Sequence, residues 1–294
     1  MKQTLLLGAL VVLGQLPLPL LHGLGWLGGW LLWLLPNRYR AITLRHLELC
    51  FPERTPDERA GIARRSLAES CKAVCEAPAI WFGAGRRLRH WIGDAEALRS
   101  LRAAASGGKG AIILTPHLGA WELASFFAAQ CGPITVLYKP QKGAAEAAIL
   151  RGRSRWPQVR PVPTTGGGVK ALLAALRRGE LVGILPDHDP PEESGTRFAP
   201  FFGIQANTME LVGRLAARTG APVWFLVAER RPWGRGFRFQ VQRAPSGVDD
   251  PTMGAAALNQ GVEACVARQP EQYWWSYKRF RRRPPGASDL YQNL

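Results

Sequence analysis

The chain has 294 residues, a formal net charge of +16 and 47% hydrophobic residues. That composition excludes a disordered tail protein, a collagen and a small disulfide scaffold, and the length gives one large domain or two small ones with a core sufficient for an enzyme. A positive excess this large needs an acidic counterpart: nucleic acid, an anionic membrane surface, an acidic protein or a phosphorylated substrate.

Between Lys2 and Arg38 no residue is formally charged, and the run reads LLLGALVVLGQLPLPLLHGLGWLGGWLLWLLP. Pro17 and Pro19 split it into two apolar pieces, each shorter than the roughly 20 residues of a straight spanning helix, so a kinked span and a shallow re-entrant anchor both stay open. Trp26, Trp30 and Trp33 sit toward its end like interfacial aromatics. Arg38, Arg40 and Arg45 follow at once, and by the positive-inside rule the remainder is cytoplasmic. A cleaved signal peptide is the competing reading. It is disfavoured because no small-x-small site follows the apolar run and basic residues do. Residues 1–36 are thus read as a membrane anchor and 37–294 as one globular domain.

Within that domain, 37–109 reads as a basic helical region. Pro52 and Pro56 break it before DERAGIARRSLAESCKAVCEAPAIWF, where Ile62, Leu67 and Val74 recur near helical spacing. Cys71 and Cys75 stand one helical turn apart, but no His or further Cys lies at ligand spacing. With Cys50, Cys131 and Cys265 they read as reduced, structural thiols, and no metal is expected. From Gly107, Gly108 and Gly110 onward the texture changes. AIILTP, ITVLYK, VRPVP, LVGILPD, APVWFLVAE and FRFQVQ read as strands; ELASFFAAQ, GVKALLAALRRG and MELVGRLAARTG read as helices. This alternation over 110–294 predicts an α/β core, a single mixed sheet flanked by helices.

The strand AIILTP runs into His117, Leu118, Gly119, Ala120, Trp121 and Glu122, so His117 lies at the carboxyl end of a strand, where open α/β sheets place their sites. In one continuous helix His117 and Glu122 would be about 140° apart. If His117 lies in the turn and Glu122 in the first helical turn, the carboxylate can reach the imidazole, with Gly119 easing the bend. An imidazole held by a carboxylate is a general base. No serine lies in a GxSxG elbow and no cysteine has a nucleophile setting, so the nucleophile is assigned to the substrate, such as a hydroxyl attacking an activated acyl group.

Asp187 ends the strand LVGILP and clusters with His188 and Asp189; a structural or substrate-orienting role fits better than a metal, since adjacent residues rarely ligate one ion together. Phe201, Phe202 and Gly203 read as a lipid-facing loop, Thr208 as the N-cap of the helix beginning at Met209, and Glu229 with Arg230 as a solvated pair. Arg279, Arg281, Arg282 and Arg283, interleaved with Tyr277 and Phe280, would suit nucleic acid in isolation. Beside an apolar leader they fit anionic lipid or an acidic protein better, and no nucleic-acid partner is expected.

In order along nearly the whole chain, these features resemble the lipid A late acyltransferases, the HtrB and MsbB type within the lysophospholipid acyltransferase superfamily. The resemblance is carried by HLGAWE, VLYKP at 136–140, RGRSR at 151–155, RRGELVGILPDHD at 177–189, PFFGIQANTMELVGRLAARTGAPV at 200–223 and QPEQYWWSYKRFRRRP at 269–284. It implies a glycerol-3-phosphate-acyltransferase-like fold with an N-terminal membrane-anchoring helix at the cytoplasmic face of the bacterial inner membrane. It also implies acyl transfer, without a cofactor, from acyl carrier protein to a hydroxyl of a phosphorylated glucosamine lipid. On that likeness His117 is the base and Glu122 its partner, while Lys139, Arg153, Asp187 and Arg279 meet the substrate. Lys139 stands where Arg is common and lacks the planar fork, and Arg153 is chosen over Arg151 and Arg155. A different glycolipid or lysophospholipid acceptor, and a non-catalytic basic protein of the membrane surface, are the alternatives.

Overall fold

The computed structural model describes every residue except 1, 142, 192–194 and 293. Helices α1 (Lys2–Leu13) and α2 (Leu18–Leu34) are separated at Pro17 and, over 7–13 and 18–34, turn by 112°. Among the described residues no single helix is long and apolar enough to cross a membrane, although this bent pair passes by length and composition together. The inner face of α2 (Leu18, Leu21, His22, Gly25 and Gly29) is buried. It lies on α4 (Pro56–Phe82), where Cβ atoms added to Gly25 and Gly29 would stand 2.5 and 2.2 Å from the Cα atoms of Lys72 and Ala68. Only glycine permits that approach. The outer face leaves Leu20, Leu24, Trp26, Leu27, Leu31 and Leu34 exposed.

Helix α3 (Arg38–Cys50) is capped by Asn37, whose side chain accepts from the Arg40 amide, and α4 starts from a Thr55–Glu58 capping box. Short helices α5 (Gly85–Trp91) and α6 (Ala95–Ala105) lead into the sheet. There β1 (Ala111–Leu114), α7 (Glu122–Ala128), β2 (Ile134–Tyr138), α8 (Ala144–Arg153), β3 (Val159–Pro163), α9 (Gly166–Arg177) and β4 (Leu181–Ile184) alternate. After β5 (Thr196–Phe201) and β6 (Ile204–Met209) come α10 (Leu211–Thr219), β7 (Val223–Arg230), β8 (Phe237–Arg243) and α11 (Gly254–Arg268). The six-stranded sheet has the order β3-β2-β4-β1-β7-β8, parallel throughout except for β8, which returns antiparallel to β7.

The central strands β1 and β4 are buried at every position, which is why they read as unbroken apolar runs. Alternate residues of β1 feed two cores: Ile112 and Leu114 join one with Leu172, Val182 and Phe225, while Ala111 and Ile113 join the other with Phe126, Phe127 and Leu226. The mixed sheet flanked by helices thus forms from the strands expected of the sequence.

The expectation of a single sheet is corrected by β5 and β6, which pair with each other outside the main sheet. Phe201 faces Ile204 across a two-residue turn in which Phe202 (φ 48°) and Gly203 (φ 76°) both take left-handed backbone conformations, the geometry of a tight hairpin. Phe201 is therefore a core residue, 1% exposed, and not part of a lipid-facing loop. Thr208 lies inside β6 and donates to the Ala206 carbonyl at 2.9 Å; α10 begins three residues later, with Glu210 in the N-cap position.

Candidate active site

Strands β1 and β4 are parallel neighbours with Leu114 opposite Ile184. Three residues beyond that pair, on two loops leaving the same end of the sheet, stand His117 and Asp187. The Asp187 carboxylate accepts the His117 backbone N–H through Oδ2 at 2.9 Å and meets the ring Nδ1 through Oδ1 at 2.9 Å. The His117 loop is pinned from behind. Gly119 (φ 60°) approaches β7 so closely that a Cβ there would stand 2.2 Å from the Ala228 carbonyl oxygen. The Gly119 and Ala120 amides donate to the carbonyls of Gln272 (3.0 Å) and Ala228 (2.7 Å), and the His117 carbonyl accepts from the Trp274 amide at 3.0 Å.

The ring of His117 is 15% exposed and Asp187 is 1% exposed. Nε2 has no hydrogen-bond partner among the described residues, so with Nδ1 held the second nitrogen is open to solvent. His188 stacks on His117 with centroids 3.6 Å apart and planes within 2°, and Tyr277 stacks on the other face of His188 at 3.8 Å. Trp121 leans on His117 at 5.3 Å and meets Trp274 edge-on at 4.8 Å. Burial, and then the His117 charge, lower the His188 pKa to about 3, so its ring stays neutral in the stack. Burial alone would raise the Asp187 pKa. The charge and hydrogen bonds of His117 and the charge of His188 outweigh it and hold the carboxyl well below its ordinary value. Tyr273, buried beneath with its hydroxyl against Asp187, is driven well upward by burial and then by that charge, so it remains a neutral phenol.

Glu122 does not supply the carboxylate on the imidazole, contrary to the expectation. It opens α7 and points toward α4 and α8: Oε2 accepts from the Trp81 indole (2.9 Å) and Arg153 Nε (3.0 Å), and Oε1 accepts from Arg153 Nη2. Burial opposes its ionisation, but the Arg153 charge and these hydrogen bonds outweigh that and hold it below the usual carboxylate range. The two-bonded fork also means that Arg153, expected at the substrate, spends its guanidinium on Glu122. Arg155 is committed to the carbonyls of Ile80 and Gly83, and Arg151 is exposed. Lys139, the residue after β2, is exposed, and its charge is felt at His188.

Arg279 is 3% exposed, and its Nη atoms donate to the Asn207 carbonyl (2.6 Å), the Thr208 hydroxyl (3.0 Å) and Asn259 (3.3 Å). A substrate contact is corrected to a fastening of the carboxyl-terminal segment over β6 and α11. Arg281 and Arg282 pair with Asp189 (3.4 and 2.8 Å), and Arg283 donates to the Gln205 carbonyl, so the basic run fastens this segment too.

A profile of the family described as bacterial lipid A biosynthesis acyltransferase matches residues 2–282. The chain is 30% identical over 291 residues to the lipid A biosynthesis palmitoleoyltransferase of Escherichia coli K12, covering 97% of this chain and 92% of that one. The chain belongs to the bacterial lipid A biosynthesis acyltransferase family. It is 29% identical over 290 residues to the E. coli lauroyltransferase (97% and 93% covered) and 26% identical over 275 residues to the myristoyltransferase (87% and 79%).

The acyltransferase also holds a buried cluster that its sequence did not disclose. Arg230, expected in a solvated pair with Glu229, is 4% exposed and donates to Glu76 from Nε (3.0 Å) and Nη2 (2.7 Å) and to the Gly119 carbonyl (2.7 Å), with Glu69 at 3.3 Å from Nη1. Glu76 also meets His22 Nε2 of α2 at 2.9 Å. Helix α4, strand β7 and the His117 loop are thereby joined through one guanidinium, and helix α2 joins them through the Glu76 carboxylate. Glu229 instead binds Gln240 and Gln269.

Proposed function

We propose that this acyltransferase moves a fatty acyl chain from acyl carrier protein to a hydroxyl of a phosphorylated glucosamine lipid, a lipid A precursor, with His117 as general base. The observation that carries this reading is the His117–Asp187 pair at the carboxyl ends of two neighbouring strands, with Nδ1 held and Nε2 open. Nε2 takes the acceptor hydroxyl proton as that oxygen attacks the thioester carbonyl. Collapse of the tetrahedral intermediate breaks the carbon–sulfur bond, and the proton passes from the imidazolium to the departing thiolate. Asp187 fixes the tautomer and stabilises the imidazolium between the two steps. Glu122 acts through Arg153, holding α8 against the site, and Lys139 meets an acceptor phosphate as a point charge.

The bent α1–α2 pair lies in the cytoplasmic leaflet of the inner membrane and the exposed cations face its anionic surface. The relatives' names support a lipid A acceptor over another glycolipid or a lysophospholipid. Mass spectrometry of lipid A from cells with the gene, without it, and carrying His117→Ala tests the whole reading. One acyl chain is expected to be missing from both altered strains. An unchanged profile without the gene overturns the acceptor; a normal profile with His117→Ala overturns the base.

A further inference from the structure

We propose that the turn joining β7 to β8 is a second membrane contact, a site for the phosphate of an anionic phospholipid with Trp233 as its interfacial anchor. The inference rests on the reading that α1 and α2 lie in the bilayer.

The turn begins where β7 ends. Because β7 is parallel to β1, it projects from the same end of the sheet as His117. Its tip is a single 3-10 turn, Pro232–Gly234, closed by the Arg231 amide donating to the Gly236 carbonyl at 2.9 Å. Trp233 is 85% exposed and has φ 61° and ψ 28°, a left-handed conformation that a bulky side chain seldom takes. An indole held outward in an unfavourable backbone conformation is not explained by packing within the chain. At a bilayer it is explained, since tryptophan settles at the headgroup level with its ring in apolar surroundings and its N–H in water.

Two further features give the occupant its chemistry. Gly234 packs on the first turn of α2, where an added Cβ would be 2.8 Å from Pro19 Cα. The tip thus adjoins the helix that presents Leu20, Leu24, Trp26, Leu27 and Leu31 outward. Beside it lies a cavity of about 510 Å³ lined by Arg231, Arg235, Arg238, His90, Trp91 and Asp94, among others. Among the described residues none of the three arginines forms an ion pair. Asp94 is already engaged, accepting from the Ala97 amide at 3.1 Å and the Phe239 amide at 3.1 Å. Three exposed guanidiniums around a cavity, beside an outward indole and an apolar helix face, match a phosphodiester at a lipid surface. Contact there and along α2 would turn the carboxyl ends of the strands, and with them His117, toward the leaflet that carries a lipid acceptor.

The test is flotation of the full chain with vesicles of phosphatidylcholine alone and of phosphatidylcholine with 30 mol% phosphatidylglycerol. Its variants are Trp233→Gly, the triple Arg231→Ser/Arg235→Ser/Arg238→Ser, and a charge-matched control, Lys170→Ser/Arg177→Ser/Arg218→Ser, on α9 and α10. Wild type is expected to partition about tenfold more strongly to the anionic vesicles. The tip triple should lose most of that increment while keeping its partition to phosphatidylcholine, and the control should keep both. Trp233→Gly, which relieves the backbone, should weaken partition to both vesicles severalfold. Full retention of the anionic increment by the tip triple, or an equal loss in the control, overturns the site. Failure of wild type to float with either vesicle overturns instead the membrane reading on which it stands.

Discussion

Two histidines of this chain meet a buried carboxylate at the same 2.9 Å, and only one of them is placed to do chemistry. At His22 the partner, Glu76, is already neutralised by the fork of Arg230, and the imidazole is 7% exposed. At His117 the partner, Asp187, is held by an amide, the ring and a neutral phenol, and the ring is 15% exposed. On the proposed mechanism Asp187 thus keeps its charge for the imidazolium of turnover, whereas Glu76 has given its charge to a guanidinium. A short contact alone does not distinguish a base from a brace; what else the carboxylate serves does.

The sharpest way to break this comparison is to remove Glu76. Glu76→Ala leaves Arg230 buried with only the more distant Glu69, and an uncompensated buried charge costs about 3–5 kcal/mol. A chemical-denaturation midpoint should fall accordingly; a shift under about 1 kcal/mol would mean that the cluster is not a brace. Next comes Asp187→Asn against His22→Gln. The first should lower kcat about 100-fold with little change in KM and little loss of folding, because an amide neither fixes the tautomer nor stabilises the imidazolium. The second should leave kcat within about twofold. Equal effects on kcat would erase the distinction drawn between the pairs.

A smaller effect separates Glu122 from the imidazole. If Glu122 acts through Arg153, then Glu122→Gln and Arg153→Met should each reduce activity about tenfold, and the double variant should be no worse than either single one, since coupled partners are not additive. Multiplicative losses would place Glu122 in direct service of His117.

How much of this was legible in the sequence follows from how far each contact reaches along the chain. The main-sheet strands were readable because buried parallel strands are continuous apolar runs, and His117 because it directly follows one. Asp187 was visible as a polar residue ending a strand, but its union with His117 required knowing that β4 and not β2 pairs with β1, a crossover that local pattern does not encode. Glu122 was the natural partner by proximity in sequence. Its carboxylate was drawn instead to an arginine 31 residues away. The β5–β6 hairpin was missed because its turn signal, Phe202–Gly203, has a phenylalanine where Asn or Asp usually marks a left-handed pair. Arg230 looked like a solvated charge and Arg279 like a substrate contact because their partners, Glu76 and Asn207, lie 154 and 72 residues away.

The smallest predicted effect concerns a third histidine that serves neither as base nor as brace to a carboxylate. His46 on α3 is buried, with Nδ1 on the Trp275 carbonyl and Nε2 on the Tyr291 hydroxyl, both at 2.5 Å, and it ties the carboxyl-terminal segment to the helical region. Burial lowers its pKa from 6.5 to about 4. Since the unfolded chain takes up a proton near pH 6.5 and the folded one only near 4, the stability associated with a neutral His46 is fully present above pH 6.5. It is lost progressively as pH falls from 6.5 toward 4. Wild-type melting temperature should therefore decline between pH 7 and pH 5, and His46→Gln, though less stable at pH 7, should decline less over that interval. An equal decline in both would assign the acid sensitivity to other groups and leave His46 a packing residue only.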